Sequence, residues 1–269
     1  MNKRMILVAA VLTTLLALAL SLPPIAQDPE YHQFADQNTR WGIPHALNVL
    51  SNLGYLLVAG FAWRRFVGPG FPPMPCYRAR LLSVFFMATG LLALGSSIYH
   101  LHPDNTGLLL DRLGMALAFG SYLLILLADY QSPKVSKILA PGVLLFAPGS
   151  VVYWYFAELN GQGDLRFYAM VQLLPLLLTP LLAGVGEQNH RVREKYGLIT
   201  LCYLLAKWFE YYDVETMAWL GMVSGHTLKH LVSAWAVYLF YRIQVAGGKA
   251  CGLSRPKASA GTVGDPGWH

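Results

Sequence analysis

The chain has 269 residues, of which 55% are hydrophobic and only 13% are charged, and its formal net charge is +6. Soluble globular proteins carry about 25% charged residues. Here the apolar residues form repeated runs, each close to the roughly 20 residues that a helix needs to cross a bilayer. The composition therefore excludes an ordinary soluble domain and indicates an integral membrane protein. The three cysteines form no CxxC pair and give no sign of a thiolate zinc site or a disulfide framework.

Eight hydrophobic segments are predicted to be transmembrane helices. In chain order they cover about 5–26, 46–65, 79–101, 107–129, 136–156, 166–186, 196–212 and 217–242. The predicted fold class is an all-α integral membrane protein, a bundle of seven transmembrane helices with one additional hydrophobic helix at the N-terminus. The predicted regions are an N-terminal anchor or signal peptide (1–26), an external loop (27–45), the seven-helix domain (46–242) and a disordered cytoplasmic tail (243–269).

The first segment has two interpretations. A short basic start containing Lys3 and Arg4, followed by an apolar run, is typical of a secretory signal peptide. No convincing cleavage site with small residues precedes Gln27, so a retained membrane anchor is favoured. Either interpretation leaves the residues that follow on the external side.

The distribution of basic residues predicts the orientation. Counted over alternate connectors, one side of the bundle carries fifteen Lys and Arg residues and the other side carries two, Arg40 and Arg166. By the positive-inside rule the first side is cytoplasmic, with both termini inside and eight crossings. The short connectors and this charge pattern favour a bacterial inner membrane. In that orientation the site described next faces the periplasmic or external side.

Ionisable groups inside transmembrane helices are costly, and each is therefore a functional candidate. His226 and His230 are four residues apart, which places both imidazoles on one face of the last predicted helix. Two ring nitrogens placed in this way can converge on one zinc ion. On a soluble surface the same pair would be unremarkable, but imidazoles inside a membrane need partners.

A second cluster lies where the third and fourth segments meet. Ser96 and His100 share a helix face, and a short link makes the helix carrying Asp111 an antiparallel neighbour. The last segment starts on the same outer side, so all these groups are expected to meet at one depth. Three histidines with an open fourth position are typical of catalytic zinc. Asp111 fits a general base and Ser96 fits a group that supports a developing oxyanion.

Other interpretations of these residues remain open at this point. Asp111 can pair with Arg112 or Lys229, Ser96 can bond to its own helix, and His102 can replace His100. A structural ion pair is expected between Lys207 and Glu210, which are three residues apart. His32, His45 and His190 lie at or near connectors and are expected to be ordinary solvated histidines.

At these residues the sequence resembles the alkaline ceramidase family. This family belongs to a superfamily of seven-helix membrane hydrolases that also contains the adiponectin and progestin receptors. The likeness covers about 46–242. It consists of Ser96-x-x-x-His100, Asp111, His226-x-x-x-His230, Asn48-Val-Leu-Ser-Asn52 and the run from Tyr99 to Asn105. It implies zinc held by His100, His226 and His230, an acid/base role for Asp111, and a positioning or stabilising role for Ser96. The implied reaction is hydrolysis of the amide bond of ceramide, or of a related long-chain lipid amide, to a sphingoid base and a fatty acid.

The sequence departs from the family pattern in two places. The first segment is an addition to the seven-helix core. Family members often carry an acidic calcium-binding cluster before the first core helix. Here Asp36 and Asn38 precede that helix, but His45 stands where an acidic ligand is expected, so no residue is assigned to Ca²⁺.

Two other classes of function remain as alternatives. One is a receptor-like membrane protein with a mainly structural zinc, and the other is a metal or proton transporter. Transporters usually show inverted repeats or broken helices at the midplane, and neither is evident in the sequence. The expected partner is a membrane lipid substrate, with neither nucleic acid nor an obligate protein partner.

Overall fold

A computed structural model describes residues 3–66, 77–185 and 190–246, and every regular element in this part of the chain is helical. The helices are α1 (Lys3–Ser21), α2 (Ala46–Ser51), α3 (Leu53–Phe66), α4 (Tyr77–Leu101), α5 (Asn105–Tyr130), α6 (Pro133–Leu159), α7 (Arg166–Val185), α8 (His190–Tyr211), α9 (Asp213–Leu220) and α10 (Gly225–Ala246), with a short 3₁₀ helix at Pro29–His32. The prediction of a disordered tail from 243 falls mostly outside the described residues. Residues 243–246 belong to α10.

Six spans in the described part of the chain are long and apolar enough to cross a membrane: α1, Ala46–Arg65 (α2 with α3), α4, α5, α6 and α7. This finding confirms the membrane-type all-helical architecture. α8 and α10 have 22 residues each, but they carry charged and histidine side chains that lower their apolar character. The count of eight crossings therefore stays a prediction.

The outer surface of the bundle is apolar, as a lipid environment requires. Leu57 and Phe61 on α3, Leu94 on α4 and Leu145 on α6 are each more than half exposed. Exposed apolar area on this scale is unusual for a soluble monomer. The exposure supports burial of these faces in lipid.

Two glycines bring α4 and α5 into backbone contact. A Cβ atom at Gly95 would lie 2.5 Å from the carbonyl oxygen of Leu110, and one at Gly114 would lie 2.4 Å from the amide nitrogen of Leu92. No side chain fits between the helices at these points. The close approach sets the residues that follow Gly95 directly against the start of α5, where Asp111 lies.

An aromatic cluster joins three helices of the bundle. The rings of Phe85 on α4 and Phe240 on α10 have centroids 4.9 Å apart, and Tyr122 on α5 lies 5.1 Å from Phe240. All three residues are buried. Because edge-to-face contacts fix relative orientation, this cluster holds α4, α5 and α10 together.

α1 lies at the edge of the bundle against α7. Leu15 and Ala19 pack on Met170, and beyond the helix the N–H of Leu165 donates to the carbonyl oxygen of Ile25 at 2.8 Å. The chain segment that leaves α1 is thereby tied to the start of α7.

Two predicted helices are each broken in the structure. The predicted segment 46–65 divides at Asn52, a buried residue whose amide donates to the carbonyl oxygen of Asn48. The predicted segment 217–242 divides between α9 and α10, where Gly221 adopts a φ of +73° that favours glycine. The second break brings the start of α10 into the interior of the bundle, where His226 and His230 are buried.

Candidate metal centre

Three histidines from two helices meet in the interior of the bundle. His100 ends α4, while His226 and His230 lie in the first turns of α10, and all three are buried. One ligand atom from each lies within 4.8 Å of the other two, so the group can hold a metal ion. The prediction that these residues converge is confirmed.

The spacing of the ring nitrogens fits a tetrahedral ion. Nε2 of His100 lies 3.4 Å from Nε2 of His230. Two nitrogens bound to one tetrahedral ion at 2.0–2.1 Å are separated by about 3.3 Å. The pair is therefore spaced as two ligands of one zinc-sized ion would be.

Residues of α2 orient the ring of His230. Its Nδ1 lies 2.8 Å from the hydroxyl oxygen of Ser51 and 3.2 Å from the main-chain oxygen of Asn48. A carbonyl oxygen only accepts, so this contact favours a proton on Nδ1 and a free lone pair on Nε2. The lone pair then faces His100, as metal binding requires.

Asp213 connects α10 to residues 27–45, which are called the external segment here after their predicted side of the membrane. One carboxylate oxygen accepts from the main-chain N–H of His226 at 2.6 Å, and the other accepts from the N–H of Ala35 at 2.9 Å. Gly225 makes room for this arrangement, because a Cβ there would lie 2.2 Å from the carbonyl oxygen of Phe209. The start of α10 is thus fixed on two sides.

Phe34 covers the outer side of the histidines. It is 3% exposed, and its ring centroid lies 4.5 Å from that of His100 and 4.7 Å from that of His226. The external segment therefore places an aromatic ring directly over the candidate metal ligands.

Asp111 and Ser96 lie beside this centre. Oδ1 of Asp111 is buried and has no hydrogen-bond partner among the described residues. The Ser96 hydroxyl neighbours the Asp111 carboxyl group, and both side chains line one cavity with His230. The next residue, Ser97, bonds to its own helix through the carbonyl oxygen of Ala93. Ser96 and Asp111 can thus both contact a ligand that is bound in this cavity beside His230.

Arg112 turns away from Asp111. Its guanidinium carbon lies 4.2 Å from the ring centroid of Trp154 and 5.2 Å from that of Tyr168, and Nη2 donates to the Gln27 side chain at 2.6 Å. The residue therefore stabilises the contact between the external segment and the helices. Arg112 therefore does not form the ion pair with Asp111 that was one of the alternative interpretations.

The predicted pair of Lys207 and Glu210 is confirmed, with a third charged partner. Nζ of Lys207 lies 2.5 Å from one Glu210 oxygen, and Nζ of Lys229 lies 3.0 Å from the other. The Tyr31 hydroxyl also donates to Glu210 at 2.9 Å. This cluster (Lys207, Glu210, Lys229) is called the lysine–glutamate cluster below.

A single cavity joins the polar groups to the apolar interior. It encloses about 1050 Å³ of empty space, including its mouth, and lies between α4, α5, α7, α8 and α10. Its outer end carries His230, Ser96, Asp111 and the lysine–glutamate cluster, and its inner end is lined by Phe85 and Phe240 among other apolar groups. The cavity is thus amphipathic along its length.

Histidines expected to be solvated are in fact bonded. His32 contacts the Tyr99 hydroxyl at 3.0 Å and the Asn105 amide oxygen at 3.1 Å, and His45 contacts the carbonyl oxygen of Asp36 at 2.5 Å. Both are partly buried because the external segment folds onto the bundle. His102, the alternative ligand, is exposed and outside the centre. The side chain of His190 is not among those described.

The residues around Asp36 do not fit a calcium site. Calcium takes six to eight oxygen ligands, whereas His45 supplies a nitrogen. The carboxylate oxygens of Asp36 accept main-chain N–H groups from Asn38 and Leu47, each at 3.2 Å. Asp36 therefore serves as a turn acceptor.

Sequence reasoning missed several residues that build the centre. Phe34 and Asp213 contact the site from distant parts of the chain, and Asn48 and Ser51 were noted only as part of a family-like motif. Ser51 and His230 are 179 residues apart, and no local spacing signals such a contact. No protein-family model matches the chain, and no curated protein matches it significantly.

Proposed function

We propose that this protein is a zinc-dependent intramembrane amidase that hydrolyses a long-chain lipid amide such as ceramide. The observation that carries the proposal is the position of Asp111 and Ser96 beside three converging histidines at the polar end of an amphipathic cavity. A purely structural metal site needs neither a neighbouring base nor a cavity. The resemblance to alkaline ceramidases supports the same conclusion.

Each residue of the site has a separate role in the proposed reaction. A bound zinc ion would supply a Lewis acid for a water molecule and for the amide carbonyl. Asp111 has an unpartnered carboxylate oxygen, which can accept the proton of the attacking water and pass it to the leaving nitrogen. The Ser96 hydroxyl can donate to the oxygen on which negative charge develops. Phe34 excludes water from the outer side of the histidines.

The shape of the cavity suits an acyl chain. Cavity-lining residues of α4 extend from Phe85 to Ser96, a rise of about 16 Å along the helix axis. The inner end presents aromatic and aliphatic groups, while the outer end presents the polar groups. An acyl chain placed inward would bring its amide to His230 and Asp111.

The finer membrane arrangement is part of the same proposal. α2 with α3, then α4 to α8 and α10, would form a seven-helix core, and α1 would add an eighth crossing. The positive-inside rule places both termini in the cytoplasm and the candidate centre on the periplasmic side of a bacterial inner membrane. Because Phe34 covers the histidines themselves, water would enter from that side through the mouth of the cavity near Lys207.

The decisive experiment measures fatty-acid release from ceramide by the detergent-purified protein. The wild type is compared with His226→Ala, which removes a metal ligand, and with Asp111→Asn, which retains all three histidines. We expect zinc in the wild type and in Asp111→Asn, and fatty-acid release only from the wild type. Chelator treatment should abolish release, and added zinc should restore it.

Three outcomes would contradict the proposal or part of it. Wild-type protein with confirmed bound zinc that releases nothing from ceramide or from a panel of lipid amides would favour the receptor-like alternative. Full activity of Asp111→Asn would remove the assigned base. Zinc uptake into sealed vesicles, without hydrolysis, would favour a transporter.

A further inference from the structure

The lysine–glutamate cluster is a charged wall of the cavity that the proposed hydrolysis does not use. All three of its residues line the same cavity as His230 and Asp111. Glu210 accepts from Lys207, Lys229 and the Tyr31 hydroxyl. An ammonium group has three N–H donors, and Glu210 accepts one from each lysine. Donors therefore remain for a ligand in the cavity.

The charges at this end of the cavity do not balance once the metal is present. Two ammonium groups face two carboxylates, Glu210 and Asp111. Neutral histidine ligands leave the charge of a divalent ion uncompensated. Uncompensated charge inside a membrane is costly. A negatively charged group on the ligand would reduce this cost.

The two lysines occupy different depths of the wall. The Lys207 side chain is 49% exposed, whereas that of Lys229 is 14% exposed. Lys229 lies next to His230 in the chain and interacts electrostatically with Asp111. The pair thus runs from the mouth of the cavity to the candidate reaction centre.

The position of the lysines selects one side of the substrate. An acyl chain in the apolar inner end places the amide carbonyl near His230, and the amine side of the amide then projects toward the outer end of α8. Lys207 and Glu210 are on that part of α8. A group attached to the amide nitrogen would therefore meet the lysines, whereas the acyl chain would not.

We propose that Lys207 and Lys229 bind a carboxylate on the amine side of the scissile amide, so that the preferred substrates are N-acyl amino acids rather than neutral lipid amides. This inference rests on the proposed function and names its substrate class. The carboxylate of a released fatty acid has the same chemistry, and the experiment below separates the two sources.

The test compares N-oleoylglycine with N-oleoylethanolamide, which share an acyl chain and differ in the carboxylate. We expect kcat/KM to be about tenfold or more higher for N-oleoylglycine, the range that one charge-assisted hydrogen bond contributes. Lys207→Met keeps the apolar stem and should remove most of this preference, whereas Lys207→Arg should retain it. Lys134→Met, at the start of α6 and outside the cavity, is the matched control.

Binding is measured separately, so that the inference does not depend on turnover. In the Asp111→Asn background, N-oleoylglycine should bind more tightly than N-oleoylethanolamide, and Lys207→Met should abolish the difference. If the wild type hydrolyses neither amide but the binding difference is still observed, the hydrolysis proposal fails and the carboxylate site stands.

Three results would overturn the carboxylate site. Equal kcat/KM for the two amides in the wild type would do so, and so would a preference unchanged by Lys207→Met. The third is tighter binding of oleate than of oleyl alcohol, lost in Lys207→Met, together with equal binding of the two amides. That result would assign the lysines to the product carboxylate.

Discussion

The hydroxyl oxygen of Ser51 lies 2.8 Å from Nδ1 of His230, on the opposite side of the imidazole from Nε2, which faces His100. Partners of this kind fix the orientation and tautomer of a metal-binding histidine, and their loss typically lowers metal affinity 10- to 100-fold. We therefore expect Ser51→Ala to weaken zinc binding by about this factor, as measured by competition with a chromogenic chelator.

Ser97→Ala is the matched control for this measurement. Ser97 bonds to its own helix at the carbonyl oxygen of Ala93, so its removal should leave zinc affinity unchanged. Equal affinities of the wild type and Ser51→Ala would show that the ring of His230 is held by other contacts.

Gly95→Ala should destabilise the protein and reduce activity. The added Cβ would lie 2.5 Å from the carbonyl oxygen of Leu110, which forces α4 away from α5 and separates Ser96 from Asp111. Overpacking of this kind typically costs about 1–3 kcal/mol. Thermal unfolding followed by circular dichroism in detergent measures the loss.

Gly142→Ala on α6 provides the comparison. A Cβ at Gly142 meets nothing within 4 Å, so this substitution should leave the protein as stable as the wild type or more stable. Identical unfolding temperatures for Gly95→Ala and Gly142→Ala would contradict the close contact between α4 and α5.

Removal of the Phe34 ring should open the outer side of the metal centre. Phe34→Ala leaves His100 and His226 without the ring that lies 4.5 and 4.7 Å from them. We expect bound zinc to be lost to excess chelator at least tenfold faster than from the wild type. Phe146→Ala, which removes a half-exposed ring on α6, should not change the rate. An unchanged rate in Phe34→Ala would mean that the ion leaves by another route.

The connector before α7 supplies a pH-dependent contribution to stability. Arg166 donates to both carboxylate oxygens of Asp164, and this contact lowers the pKa of Asp164. The resulting stabilisation is present above the unfolded pKa of about 3.9 and is lost as the pH falls through the lower folded pKa. Asp164→Asn should therefore be less stable than the wild type at pH 7. The difference should shrink below pH 4. A constant difference from pH 7 to pH 3 would contradict this assignment.

Local spacing was sufficient to predict the centre of the site. The four-residue interval between His226 and His230 sets them on one face, and the short link after His100 brings Asp111 to the same depth. Both features depend on helix geometry within a few turns, and the structure confirms that the three histidines converge. The roles of Asp111 and Ser96 stay predictions.

The surroundings of the site could not be predicted in the same way. Phe34 and Asp213 act through contacts between remote parts of the chain, and the division of a long apolar run at Asn52 depends on a buried amide. An apolar run indicates membrane crossing but does not show where the helix breaks. The ion pair of Lys207 and Glu210 followed from their three-residue spacing, whereas the contribution of Lys229 required the packing of α8 on α10.

The contact between Ala35 and Asp213 joins residues 178 positions apart, and this separation bears on how the protein is made. At about 5–20 residues per second, roughly 10 to 40 s of synthesis separate the two partners. His100 is made during that interval, before the helix that carries His226 and His230. An ion held by all three histidines could therefore bind only after α10 has been made and has packed against α4.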